Sequence, residues 1–295
     1  MIFEKGTYVA FATPFKTNGE INFKTVEKLV EYYISCGIKG LFLGGTTGLG
    51  QLLSVEELKE LSEVVVSISK KRIKTLILAS RLTIEETKST VIKLWKTGCD
   101  SITLRCPQDY VTNETCLAAY YEEILKDFPE IKFSFYYLKN SLSAETTMQL
   151  IKKFPNICAI KHSSEDFSTI SRMIIPDMPV PVFIGYEVLA LPAIKLGASG
   201  MVSGLGAALP KLVVSAFEAT EKDEKTINKY HNLLVHSCDV LYKDATYGNI
   251  YRVLEIKGFD MGVPRLPVPE RKKDNTELFE LINMLEKNLG EEIQH

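Results

Sequence analysis

Short apolar runs alternate with longer segments of helical period for about 200 residues, and this pattern limits the fold more than any other feature of the chain. Residues 7–12 read as a first strand, stopped by Thr13-Pro14. Asn22 then caps a helix whose apolar positions Val26, Leu29, Val30 and Tyr33 keep the 3.6-residue period. Residues 41–43 form the second strand. Ser54-Val55-Glu56-Glu57 and Thr83-Ile84-Glu85-Glu86 are capping boxes that open the second and third helices. Further strands are predicted at 75–79, 101–104, 132–137, 157–160, 182–184 and 200–202, with helices at about 113–125, 144–154 and 188–196. Eight strand–helix units in series, with no Pro/Gly/Ser-rich linker, predict an α/β fold closed into a (β/α)8 TIM barrel. A doubly wound open sheet is the alternative, but eight successive units fit closure better. Residues 1–220 are assigned to this barrel. Residues 221–295 are assigned to a C-terminal helical appendix packed on it: one segment through Tyr242, one over 249–257 and one from Thr276, the last two joined by the proline-rich stretch 262–269.

Several function classes find no support. A formal net charge of −2 offers no electrostatic attraction to nucleic acid or an acidic membrane surface. No apolar run approaches the roughly 20 residues of a membrane span. The stretch Met1-Ile2-Phe3-Glu4-Lys5-Gly6 lacks the basic-then-apolar layout of a signal peptide. The 6 cysteines are scattered without a CxxC spacing and read as reduced thiols of a cytoplasmic protein. The 4 histidines form no metal-ligand cluster, so no metal site is expected.

Barrel enzymes carry their chemistry at the C-terminal ends of the strands, which makes the strand-end residues the candidates. The sixth apolar run, 157–160, ends in Lys161. One reading is a strand that has reached solvent, with the lysine snorkelling at the surface. The other is an amine whose hold on its proton is weakened, so that it can attack a carbonyl. The second strand ends in Gly44-Gly45-Thr46-Thr47-Gly48-Leu49-Gly50, whose N–H groups and two hydroxyls suit a small carboxylate or an oxyanion. It is neither a Walker A loop nor a GxGxxG fingerprint. The fifth strand ends in Phe135-Tyr136-Tyr137, and a tyrosine hydroxyl beside an amine can relay a proton. Strands five and six are neighbours, so amine, phenol and carboxylate cradle would share the barrel mouth. Imine chemistry on a 2-oxo acid needs those three groups.

These residues, with Thr13-Pro14-Phe15, Ala159-Ile160-Lys161 and Gly200-Met201-Val202-Ser203, resemble the dihydrodipicolinate synthase / N-acetylneuraminate lyase superfamily over essentially the whole length. Leu49 stands where synthases and neuraminate lyases usually carry Glu. That loop, and residues 258–265, are most similar to archaeal-type 2-keto-3-deoxygluconate aldolases. The resemblance implies a Schiff-base lysine at Lys161, a carboxylate cradle at Gly45, Thr46 and Thr47, and a proton relay at the strand-five tyrosine, with Thr47 assisting. The family's strand five reads Tyr-x-x-Pro, but Lys139 or Asn140 replaces the proline. A gap-free alignment from the start of the strand selects Tyr136, the reading preferred because its separation from Lys161 is similar to that in the aldolase group, and alignment on residues 141–143 selects Tyr137. Arg105, Tyr137, Ser163 and Val202 are further candidate substrate contacts. The synthases carry Pro-Tyr-Tyr after strand four to reach a neighbouring subunit's site; here the sequence is Pro107-Gln108-Asp109-Tyr110.

The expected activity is a class I aldolase that cleaves 2-keto-3-deoxygluconate-type sugar acids to pyruvate and glyceraldehyde, with a covalent imine and no cofactor. The resemblance implies that relatives accepting phosphorylated sugar acids carry arginines near strand four and in the appendix. Arg105 is close to the first, but around Tyr242-Lys243 there are only Lys243 and the later Arg252, which favours the unphosphorylated substrate. A neuraminate lyase, a synthase-like enzyme and a sugar-acid-binding protein on an inactivated barrel are the alternatives. The relatives are usually homotetramers, and the same assembly is expected.

Overall fold

The structure, a computed structural model, describes residues 3–110, 112–243, 245–270 and 275–289. Eight parallel strands close into a barrel in chain order: β1 (Gly6–Ala10), β2 (Gly40–Leu43), β3 (Lys74–Leu78), β4 (Ser101–Leu104), β5 (Phe133–Tyr137), β6 (Ile157–His162), β7 (Val182–Ile184) and β8 (Gly200–Ser203). Closure is made by β1, which pairs with β2 on one side (Val9 opposite Leu41) and β8 on the other (Tyr8 opposite Val202). An open sheet is thereby excluded.

Helices cover the outside: α1 (Phe23–Ser35), α2 (Val55–Ser69), α3 (Ile84–Trp95), α4 (Glu114–Leu125), α5 (Ala144–Lys153), α6 (Phe167–Ile174), α7 (Ala190–Leu196) and α8 (Pro210–Ala219). Asn22 accepts a hydrogen bond from the Thr25 amide at the start of α1, and Ser54 and Thr83 form complete capping boxes on α2 and α3. Each such cap is worth about 1 kcal/mol. The sequence pattern missed α6, which has only eight residues and starts at the Asp166 cap. After the barrel come α9 (Glu224–Leu241), α10 (Thr246–Ile256) and α11 (Thr276–Leu289). The second of these begins three residues before the expected 249.

Strand side chains alternate between two apolar layers. Tyr8, Phe42, Leu78, Tyr136, Phe183 and Val202 point into the barrel, with Phe3 beneath them. Val9, Leu41, Ile77, Phe135, Tyr137 and Ile160 point out and join the larger core under the helices. The alternation decides which strand-end groups reach the mouth.

Candidate functional site

Lys161 lies on the inward face of β6, between Tyr136 of β5 and Phe183 of β7 in the ladder. Its side chain does not snorkel into bulk solvent: the residue is 9% exposed. Nζ sits 4.4 Å from the centre of the Tyr136 ring and 4.5 Å from that of Phe42. The two rings meet edge to face, 5.6 Å apart at 83°. Of the two candidate tyrosines, then, Tyr136 shares the interior with the lysine.

Tyr137 faces the other way, because consecutive strand residues alternate sides. Its hydroxyl lies 3.1 Å from the Thr147 hydroxyl of α5, and burial pushes its pKa upward. The expectation that Tyr137 contacts substrate is corrected by this geometry: it is a packing residue between β5 and α5. His162, next to Lys161, also faces outward, edge-on to Tyr137, and burial lowers its pKa to about 4.

Two glycines make the close packing at the lysine possible. A Cβ on Gly45 would stand 2.5 Å from the Phe42 ring. One on Gly185, just past β7, would stand 1.8 Å from Ser163 Oγ and 2.8 Å from Lys161 Cε. The Ser163 hydroxyl is buried and has no hydrogen-bond partner among the described residues, so it is available to a ligand beside the amine. Arg105 follows β4 on the same inward face as Ser101 and Thr103. Its guanidinium carbon lies 5.8 Å from the centre of the Tyr136 ring. Val202 is buried in the interior layer opposite Tyr8.

In the loop after β2, the amides of Leu49 and Gly50 bond back to the carbonyls of Thr46 and Gly45, and Thr13 Oγ1 donates to the Gly48 carbonyl at 2.8 Å. Thr46 is exposed and Thr47 half-buried. The Thr47 hydroxyl and the Tyr242 hydroxyl each lie 3.0 Å from the point where a Cβ on Gly204 would stand, and Glu187 Oε1 lies 3.9 Å from it. Glu187, Tyr242 and Phe42 were not singled out from the sequence. The buried carboxylate of Glu187 accepts hydrogen bonds from Ser203 Oγ (2.7 Å), the Leu205 amide (3.0 Å) and Tyr242 OH (3.0 Å). Burial, and then the Glu187 charge, raise the Tyr242 pKa well above its ordinary value. Tyr247 of α10 is also raised, by burial and then by the proximity of Tyr136. Glu187 could have been found from the Gly-x-Glu that follows strand seven. Nothing near Tyr242 or Tyr247 in the sequence connects the appendix to the barrel mouth.

The fold and this site define a (β/α)8 barrel with a lysine on strand six, enclosed by aromatic rings at the C-terminal mouth. A family model for the dihydrodipicolinate synthetase family matches residues 4–285, and the chain belongs to that family. The 4-hydroxy-tetrahydrodipicolinate synthase of Exiguobacterium sibiricum is 29% identical over 275 residues, covering 90% of this chain and 92% of that one. An N-acetylneuraminate lyase of Clostridium perfringens is 27% identical over 286 residues, covering 95% and 98%. The crystal structure of a dihydrodipicolinate synthase from Bacillus anthracis superposes with a TM-score of 0.85 at 27% identity, covering 96% of this chain and 99% of that one. No helix among the described residues is long and apolar enough to cross a membrane.

Proposed function

We propose that the protein is a pyruvate-dependent class I aldolase acting on 2-keto-3-deoxygluconate-type sugar acids, in the reversible cleavage to pyruvate and glyceraldehyde. The observation that carries this reading is the contact between Lys161 Nζ and the Tyr136 ring inside the barrel mouth. Lys161 attacks the C2 ketone, and loss of water gives a protonated imine. The substrate carboxylate is held by the Gly45–Thr47 loop. Tyr136, assisted by Thr47, relays the proton of the C4 hydroxyl: the phenol accepts it while passing its own proton on to solvent, and the same relay returns one to C3. The C3–C4 bond then breaks, its electron pair flowing into the imine to give an enamine. Glyceraldehyde leaves, C3 is protonated, and water releases pyruvate. The imine is itself the electron sink, so the scheme uses no further cofactor.

The wall made by Glu187 and Tyr242 supports an unphosphorylated sugar acid. A buried carboxylate repels a phosphate, whereas hydroxyl groups can bond to it. A synthase reading has the names of the relatives behind it. Against it stand Gln108 and Asp109 in place of the tyrosine pair. Gln108 instead accepts a hydrogen bond from the Asn140 amide at 3.2 Å, which ties the loops after β4 and β5 together. We further propose a cytoplasmic homotetramer, which sedimentation velocity would read directly.

Borohydride reduction in the presence of pyruvate is expected to leave a stable mass adduct on Lys161, and Lys161→Ala to abolish both adduct and turnover. An unmodified Lys161, or an active Ala variant, overturns the mechanism. Cleavage rates with ketodeoxygluconate, its phosphate ester and N-acetylneuraminate then rank the substrates, and faster cleavage of either of the last two replaces the assignment.

A further inference from the structure

We propose that Phe42, together with Tyr136, supplies the counter-charge for the protonated imine, its ring face standing where a carboxylate would otherwise be required. The inference rests on the Schiff-base reading above. Both ring centres lie within the roughly 6 Å over which an aromatic face attracts a cation, at 4.5 and 4.4 Å from Nζ. The rings are nearly perpendicular and form a corner around the nitrogen. Among the described residues no carboxylate forms an ion pair with Lys161, and the buried acid that follows β7, Glu187, already accepts three hydrogen bonds on Oε1. Phe42 has little room to move, because its ring fills the space that a Cβ on Gly45 would take.

The chemistry keeps positive charge in this corner. The Nζ lone pair attacks C2, and the ketone oxygen leaves as water, taking one proton from the nitrogen and one from solvent. The nitrogen keeps one hydrogen, gains the double bond and carries the charge. The neutral carbinolamine before this step and the neutral enamine after bond cleavage receive no comparable attraction from a ring face. Relative to those two neutral species, the two rings therefore favour the charged imine, through which the bond breaks.

Replacing Phe42 with 4-fluoro-, 3,5-difluoro- and 3,4,5-trifluorophenylalanine keeps the ring and withdraws negative charge from its face. The readout is the pyruvate concentration that gives half-maximal borohydride-trapped mass on Lys161. It is expected to rise stepwise with fluorination, by roughly three- to thirtyfold at the end of the series. Phe42→Leu is expected to raise it by a similar factor, and Phe42→Tyr to leave it near the wild-type value. A flat fluorine series, or a folded Leu variant that traps pyruvate as the wild type does, overturns the role of Phe42 alone. A wild-type enzyme that traps no pyruvate at any concentration overturns the Schiff-base reading itself.

Discussion

Which tyrosine serves the lysine is decided by one step of strand register. Tyr136 is paired with Lys161 across β5 and β6, so both side chains leave the sheet on the same side, while Tyr137 is turned into the α5 interface. Tyr136→Phe should therefore lower kcat for aldol cleavage by about 10²- to 10⁴-fold, while pyruvate is still trapped on Lys161. Tyr137→Phe should leave cleavage within a few fold and cost about 1 kcal/mol of stability, since the Thr147 hydroxyl loses its partner inside the core. Steady-state kinetics and chemical denaturation of the two variants separate the roles; equal kinetic losses would contradict this assignment. The lysine was legible as a strand-end residue, because strand period and strand ends are local; the two tyrosines were legible only as a pair, and the β5–β6 register separates them. Phe42 was not legible. An apolar residue on a strand reads as core, and only closure of the barrel brings its ring over the amine.

Among the elements, those with strong local signals were read most accurately. The capping boxes at Ser54 and Thr83 start α2 and α3 where expected, since each uses only residues three apart. The helix α6 left too short a pattern, and the early start of α10 has no side-chain cap to mark it. The turn after β7 is the element on which the site depends most. There Gly185 passes directly over Lys161 and Ser163, and its amide bonds to the His162 carbonyl at 2.8 Å. The sequence shows a glycine after a strand, and its reason is steric crowding from another strand. Gly185→Ala should push Ser163 and Lys161 aside, with an overpacking cost of about 1–3 kcal/mol and a fall in trapped imine of at least roughly tenfold. Trapping at saturating pyruvate, with thermal unfolding as the control for folding, tests this. An Ala variant that traps as well as the wild type would show that the lysine tolerates displacement.

At the scale of the whole molecule, the eightfold alternation made the barrel legible, but the attachment of the C-terminal segment was not. Arg265 reaches Glu57 and the Gly19 carbonyl, 208 and 246 residues earlier in the chain. No local pattern encodes such pairings. Its guanidinium donates to the Leu52 carbonyl at 2.7 Å and to Glu57 Oε2 at 3.0 Å, and lies 4.7 Å from the centre of the Phe15 ring. Tyr251 OH of α10 donates to the Thr13 carbonyl, and Asn22 Nδ2 to Asp260, so α10 and the segment after it are tied to the loops that open α1 and α2. Arg265→Ala should cost about 2–3 kcal/mol through the lost charged hydrogen bonds, or several degrees in Tm for a chain of this size. Arg265→Lys should recover only part of this, because an ammonium cannot reproduce the fork. The loss depends on pH in a defined direction. Hydrogen bonding from Arg265 lowers the Glu57 pKa to about 2 from its ordinary 4.5. The pair's contribution is therefore complete above pH 4.5 and fades as pH falls towards 2, where the folded state also takes up the proton. The difference in Tm between wild type and the Ala variant should accordingly narrow between pH 7 and pH 3. A constant difference would mean that Arg265 holds the segment through the Gly19 and Leu52 carbonyls and the Phe15 ring, without its carboxylate partner.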